Sequence, residues 1–214
     1  MEYLTLTEAA DPYMVERKAE ILAAARVVFV RRGFERATMQ EIADEVGLSA
    51  GALYRYFPGK EALITSVCAA AGAGHLSAFN IDGDDRSALE VLIEGGTTVW
   101  GALFGPEGDD ALLLNLEATV AAIRQPEQIG EHLAREMAGE VGHLSQVIQQ
   151  AQTEGSLPSD FEARTLAATL LAVTQGMHLL RGQLGGEVDV DAAWRLLVRM
   201  IQQLGRSDLD ESQG

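Results

Sequence analysis

Apolar residues recur at intervals of three and four along almost the whole chain, and no stretch alternates with period two long enough to make a strand, so the expected fold is all-α. Asp11-Pro12 opens the first helix as an Asp cap followed by Pro at the first helical position. Leu22, Ala25 and Phe29 form its inward stripe, and Gly33 stops it behind Arg31 and Arg32. Helices are expected next at 38–46, 50–57 and 60–78. After the break at Asp82-Gly83-Asp84-Asp85 they follow at 87–104, 110–124, 126–154, 160–181 and 189–204, with Ser87 and Glu90 as a capping box. The pattern divides the chain into a first domain over 12–60 with a connecting helix over 60–78, a second domain over 79–205, and a polar tail over 206–214 expected to fray.

At 214 residues, 47% hydrophobic and 22% charged, the chain has the composition of a globular protein with a substantial core. A single cysteine, Cys68, excludes an internal disulfide framework and a four-thiolate zinc site, and fits a reducing compartment. The start lacks the pattern of a signal peptide, and the longest stretch without Asp, Glu, Lys or Arg, 62–81, reads as too polar to span a bilayer. A cytoplasmic protein with no membrane partner is expected.

The net charge of −16 argues by itself against a nucleic-acid partner. Residues 13–60, however, hold eight basic and six acidic side chains, a net of +2, which leaves −18 for the remainder. A mildly basic first quarter and a strongly acidic rest suggest two parts with different partners.

The informative segment runs from Ala37 to Phe57. Thr38 and Glu41 form a capping box that starts a short helix, Gly47 ends it, Leu48 plugs the corner, and Ser49 caps a second short helix. Ile42, Ala43, Val46, Leu48 and Leu53 are the expected core contacts of this helix-turn-helix. Such a corner also occurs in helical proteins that bind no DNA. The outer face decides for DNA here: Ala50, Gly51 and Ala52 are too small to obstruct approach to base pairs, while Tyr54, Arg55, Tyr56 and Lys60 are donors within reach of phosphates.

The run Ile21-Leu22-Ala23-Ala24-Ala25 through Phe29, then Arg32-Gly33-Phe34, Thr38, Ile42-Ala43, Val46-Gly47-Leu48-Ser49 and Leu53 through Leu63 resembles the N-terminal domain of TetR/AcrR-type transcriptional regulators. The resemblance covers about the first third of the chain and departs from the family at Gly59, where Ser or Asn is usual. It implies that Thr38, Tyr54 and Lys60 grip phosphates, Lys60 together with the amides of its helix N-terminus. It places Gln40, Ser49 to Ala52 and Tyr56 against base edges. Arg55 is left between a guanine and a phosphate, and Phe57 reads as a core plug.

The acidic remainder shows no nucleophile elbow, phosphate loop or dinucleotide fingerprint, so no enzyme and no cofactor is expected. His132 with Glu136 and Glu140 with His143 have helical spacings, but read as solvated helix faces rather than a metal site. Cys68 reads as a small apolar filler. Ile129, Leu133, Met137, Val141, Leu144, Ile148 and Ala151 form one seam, and Ala168, Ala172 and Gly176 form a small-residue stripe on a helix that is apolar nearly all round. From these, Met137, Val141, Leu144, Ile148, Ala168, Ala172 and Gly176 are assigned to a homodimer interface, as the resemblance implies; the competing reading is the central helix of a monomer. Trp100, Leu103, Phe104, Leu113, Asn115, Glu117 and Met137 either line a mostly apolar effector cavity with one carboxylate or belong to a filled core. The function expected is a ligand-relieved repressor that binds an inverted-repeat DNA operator as a homodimer. A ligand-independent DNA-binding structural protein is opposed by the −16 charge, and a helical enzyme by the missing catalytic motif.

Overall fold

The computed structural model describes residues 12–81 and 86–211, with side chains described as far as Leu204. The Asp11 cap, the Asp82 to Asp85 break and the last three residues therefore lie outside the described residues. The described residues are helical and contain no strand: α1 (Pro12–Arg36), α2 (Met39–Glu45), α3 (Ala50–Leu53), α4 (Lys60–Leu76), α5 (Ala88–Phe104), α6 (Gly108–Arg124), α7 (Glu131–Thr153), α8 (Ala163–Leu184) and α9 (Val190–Glu211).

The chain forms two compact units, Met1–Val67 and Cys68–Gly214, divided inside α4 rather than at the Asp/Gly-rich break. The first turns of α4 bury Leu63, Ile64 and Val67 in the core of the first unit, which is why that helix cannot be assigned to a linker. Mean hydropathy over Lys60–Phe79 reaches 1.5, so by length and composition this helix is apolar enough to cross a membrane, contrary to the polar reading of 62–81. One such helix is weak evidence for a span, and its Leu63, Ile64 and Val67 are buried in the first unit.

In the first unit Ile21, Ala25, Val28 and Phe29 form the buried stripe of α1, with Leu22 half-buried beside it. Gly33 takes φ +75°, a left-handed geometry that turns the chain sharply and lets Phe34 pack edge-on against Phe29 at 4.9 Å between ring centres. In the second unit α5, α7, α8 and α9 close around Ala88, Val91, Leu92, Leu144, Val147, Ile148, Ala151, Leu157, Ala167 and Ile201. Two glycines in the middle of α5 have a packing reason. A Cβ on Gly95 would come within 2.6 Å of the Ala78 carbonyl and the Phe79 ring, and one on Gly96 within 2.6 Å of the Trp194 indole. The helix accepts the conformational penalty of glycine, about 0.5–1 kcal/mol each, to seat two aromatic side chains.

Two boundaries differ from expectation. Residues 126–130 form a π-helical turn before α7, where Gly130 crosses close to the Ala122 carbonyl, instead of the first turn of one long helix. The α9 backbone stays helical to Glu211, past the point after Gly205 where fraying was expected.

Candidate nucleic-acid interface

The helix-turn-helix is assembled by local hydrogen bonds. Thr38 Oγ1 accepts from the Glu41 amide at 3.2 Å, and the Glu41 carboxylate accepts from the Thr38 amide at 3.0 Å, closing the capping box. Thr38 donates to that carboxylate from its amide and, at 3.1 Å, from Oγ1, and these two bonds, with Arg32 beside them at 2.8 Å, hold the Glu41 carboxyl below its ordinary range. Gly47 at φ +69° ends α2, and the Leu48 amide reaches back to the Ala43 carbonyl at 2.8 Å. Ser49 Oγ then accepts from the Ala52 amide at 3.2 Å and starts α3. α3 ends at Leu53, short of the expected Phe57. Residues 54–57 continue as tight turns in which the Phe57 amide donates to the Leu53 carbonyl.

This geometry sorts the sequence candidates. Leu53 and Phe57 are buried, so α3 is fixed from below. Its outer side presents exposed Ser49 and Gly51, partly exposed Ala50 and Ala52, then exposed Tyr54 (52%) and Arg55. A Cβ on Gly51 would meet nothing within 4 Å, so the chain's own packing does not require glycine there. Thr38 and Gln40 are exposed at the start of α2, and Gln40 Nε2 donates to Asp44 at 2.7 Å, which commits one of its two N–H donors. Tyr56 is half-buried and offers less to a partner than Tyr54. Lys60 Nζ is already committed twice, donating to the carbonyls of Glu35 at 2.9 Å and Ala37 at 3.1 Å. It clasps the end of α1, and one of its three donors is left for a phosphate. Arg31 and Arg32 are paired with Glu45 at 2.6 Å and Glu41 at 2.8 Å, which reduces the free positive charge of this unit.

The second unit separates the remaining candidates. Leu144 (4% exposed) and Ile148 (0%) belong to the chain's own core and cannot form an interface; the apolar seam of α7 turns inward at these positions. Met137 is exposed, whereas Val141 is half-buried and lines, with Thr165, Ala168, Thr169, Ala172 and Val173, a shallow open groove. Gly176 continues that exposed stripe with open space around it. Of the effector-cavity candidates, Trp100 is buried with its ring tilted against Phe104, 4.4 Å between ring centres, and Leu103 is partly buried beside them in sequence. Leu113 (47% exposed), Asn115 and Met137 face outward and do not line an enclosed site, and Glu117 is half-buried on α6.

Sequence reasoning missed Trp194 and His178. Trp194 lies 5.2 Å from Trp100, and buried His178 packs edge-on to Phe104 at 5.5 Å and donates from Nε2 to the Gly108 carbonyl at 2.9 Å. The double glycine Gly95-Gly96 was the available signal, since it marks a place where large side chains press on a helix. His132 pairs with Glu136 at 3.7 Å on the outside of α7, and His143 bonds to the Phe79 carbonyl. Burial pushes the Cys68 thiol up to about 11, so it stays protonated and unreactive.

Residues 21–67 match the family model of bacterial regulatory proteins of the tetR family, and residues 97–206 match that of the BetI-type transcriptional repressor C-terminal domain. An uncharacterized HTH-type transcriptional regulator of Mycobacterium bovis is 31% identical over 72% of this chain and 76% of its own. Among solved structures, a putative TetR-family regulator from Rhodococcus sp. superposes with a TM-score of 0.75 at 23% identity, covering 89% of this chain and 98% of that one. FadR of Bacillus subtilis in complex with stearoyl-CoA superposes at 0.72 and 16% identity, covering 86% and 97%. With its helix-turn-helix in the first unit and an all-helical second unit, the chain belongs to the TetR family of DNA-binding transcriptional regulators and is not an enzyme.

Proposed function

We propose that this regulator is a cytoplasmic homodimeric repressor that binds an inverted-repeat operator and is released from it by a small ligand held in the second unit. The observation that carries the DNA half is the outer surface of α3. It is fixed by a buried Leu53, capped by Ser49, free of acidic residues and built of side chains small enough for the backbone to approach a major groove. Thr38, Tyr54, Arg55 and the remaining Lys60 donor supply phosphate contacts around it, and Gln40 and the Ser49 to Ala52 surface face base edges.

A two-fold partner is supported by the exposed Ala168, Ala172, Gly176 stripe, its groove with Val141, and exposed Leu179, Leu180 and Leu184 farther along α8. Gly176→Leu adds its side chain into open space in the single chain, so the fold survives and association is lost. Sedimentation of that variant as an intact dimer would remove α8 from the interface. Ligand relief is supported by the aromatic cluster around Trp100 and by the fold shared with a regulator solved with stearoyl-CoA. Footprinting tests the operator: protection of two half-sites related by a two-fold axis and spaced by whole helical turns is the expected result, and protection of direct repeats or of a single half-site refutes the dimeric reading.

A further inference from the structure

Among the described residues, one buried side-chain polar atom has no hydrogen-bond partner: the indole Nε1–H of Trp100. Trp100 is 5% exposed, and a buried donor that no protein group serves calls for an explanation. Its surroundings are aromatic. Gly96, Trp100 and Phe104 follow at fourfold spacing on one face of α5, and Trp194 reaches over from α9 into the space that Gly96 leaves. The Trp100 ring is tilted 38° from Phe104 and 34° from Trp194, so its faces lean on their neighbours without full stacking. Neighbouring donors are spoken for: His178 Nε2 bonds to the Gly108 carbonyl, and Arg181 bonds to the Phe104 carbonyl at 3.4 Å.

We propose that Trp100 anchors the effector: a planar, uncharged aromatic or heteroaromatic compound bearing a carbonyl-type acceptor, which takes the place of the Trp194 ring against Trp100 and accepts from its Nε1–H. This deepens the ligand-responsive reading above and rests on it. An indole N–H can only donate, so the ligand must bring the acceptor. The ring cluster provides the flat apolar walls, and Trp194, half-buried, is the wall that can yield. Charged ligands are disfavoured because burial lowers His178, which packs on Phe104, and His75, which senses it, toward their neutral forms. Arg181 and Asp109, which lie nearest His178, face each other at 3.9 Å.

The chain has two tryptophans, both in this cluster, so every indole signal reports on the site. Calorimetry would compare coumarin, chromone and 1-naphthaldehyde with naphthalene, which has the same shape and no acceptor. At least one carbonyl compound should bind ten times more tightly than naphthalene or better, and that advantage should vanish in Trp100→Phe and persist in Trp194→Phe. In the unmutated protein, the same compound should move the Trp100 indole proton resonance farther downfield than naphthalene does, because both change the ring currents at that proton and only the carbonyl compound adds a hydrogen bond. Trp194→Phe assigns that resonance even where Trp100→Phe does not fold. An advantage below tenfold for all three compounds, an advantage that survives Trp100→Phe, or an indole resonance that moves no farther downfield than with naphthalene overturns the proposal. Operator release, read separately by anisotropy of labelled DNA, keeps the two readings apart. A carbonyl compound that binds through Trp100 without releasing DNA refutes induction and leaves the site standing, while release by a compound indifferent to Trp100→Phe refutes the site and leaves induction standing.

Discussion

The two units place their uncommitted groups on opposite sides of their surfaces. The helix-turn-helix unit turns Tyr54, Arg55 and the open Gly51 backbone outward, above a core in which Phe29, Ile42 and Leu53 are closed off. The second unit does the reverse, burying an indole donor without a partner and His178, whose charge burial suppresses as it does that of half-buried His75. A partner of the first unit can therefore dock on a finished surface, whereas a ligand of the second must enter and displace a side chain. The first unit is expected to bind as a rigid body and the second to change conformation when occupied.

The harshest way to break this contrast is to remove the rigidity of the first unit. Phe29→Ala deletes a fully buried ring together with its edge contact to Phe34 and should destabilise that unit by about 3–5 kcal/mol. DNA binding should disappear while tryptophan fluorescence, which arises only from the second unit, keeps its unfolding midpoint. A matching loss in the fluorescence transition would show that the two units unfold as one. Thr38→Ala is milder. It removes the N-cap of α2 and should lower the stability of the first unit by about 0.5–2 kcal/mol, read by amide exchange in α2.

The same contrast explains what could be read from the chain and what could not. The bonds that build the helix-turn-helix join residues a few positions apart: Thr38 with Glu41, Leu48 with Ala43, Ser49 with Ala52. Such bonds follow from residue type and spacing, so the motif and its exposed face were legible. The second unit is held by contacts between distant positions, Trp100 with Trp194, His178 with Gly108, Gly96 with Trp194. Periodicity gave its helices and their apolar faces but not which face meets which. That is why Leu144 and Ile148, core residues, were assigned to an interface, and Leu113, Asn115 and Met137, exposed, to a cavity. Lys60 failed for a different reason, because its two carbonyl acceptors lie more than twenty residues away at the end of α1.

Acid should separate the units in order. Burial lowers the pKa of His75 and His178, so the unfolded chain takes up their protons first as the pH falls below the ordinary histidine value of 6.5. The second unit accordingly loses stability from that pH downward, until the folded histidines protonate as well. Glu140, raised by burial and by Glu136, acts in the opposite sense nearer the carboxylate range, since the folded state takes its proton first. In the first unit Glu41 is held low by Thr38 and Arg32, so its contribution is intact above the ordinary 4.5 and is lost only as the pH falls through its depressed folded value. Urea unfolding at pH 7.5 and pH 5.5 should therefore show a falling fluorescence midpoint with little change in α2 amide exchange. The fall should flatten in the double variant His75→Gln, His178→Gln, and an unchanged slope there would assign it to other groups.

The smallest stability change sharpens the contrast most. Gly51→Ala places a methyl where nothing lies within 4 Å, and alanine is the better helix former by roughly 0.8–1 kcal/mol, so the first unit should be no less stable and slightly more so. If glycine is there to let the α3 backbone approach the floor of a groove, the same methyl must cost operator affinity, because the space that is empty in the free protein is filled in the complex. Stability and affinity would then move in opposite directions from a single carbon atom. Anisotropy titrations on the operator and on unrelated duplex DNA distinguish the cause: a loss confined to the operator places the methyl against base edges, while an equal loss on both places it against the sugar-phosphate backbone. Unchanged affinity for both would mean that Gly51 stands clear of the DNA, and the contact surface would shift to Thr38, Tyr54 and Arg55.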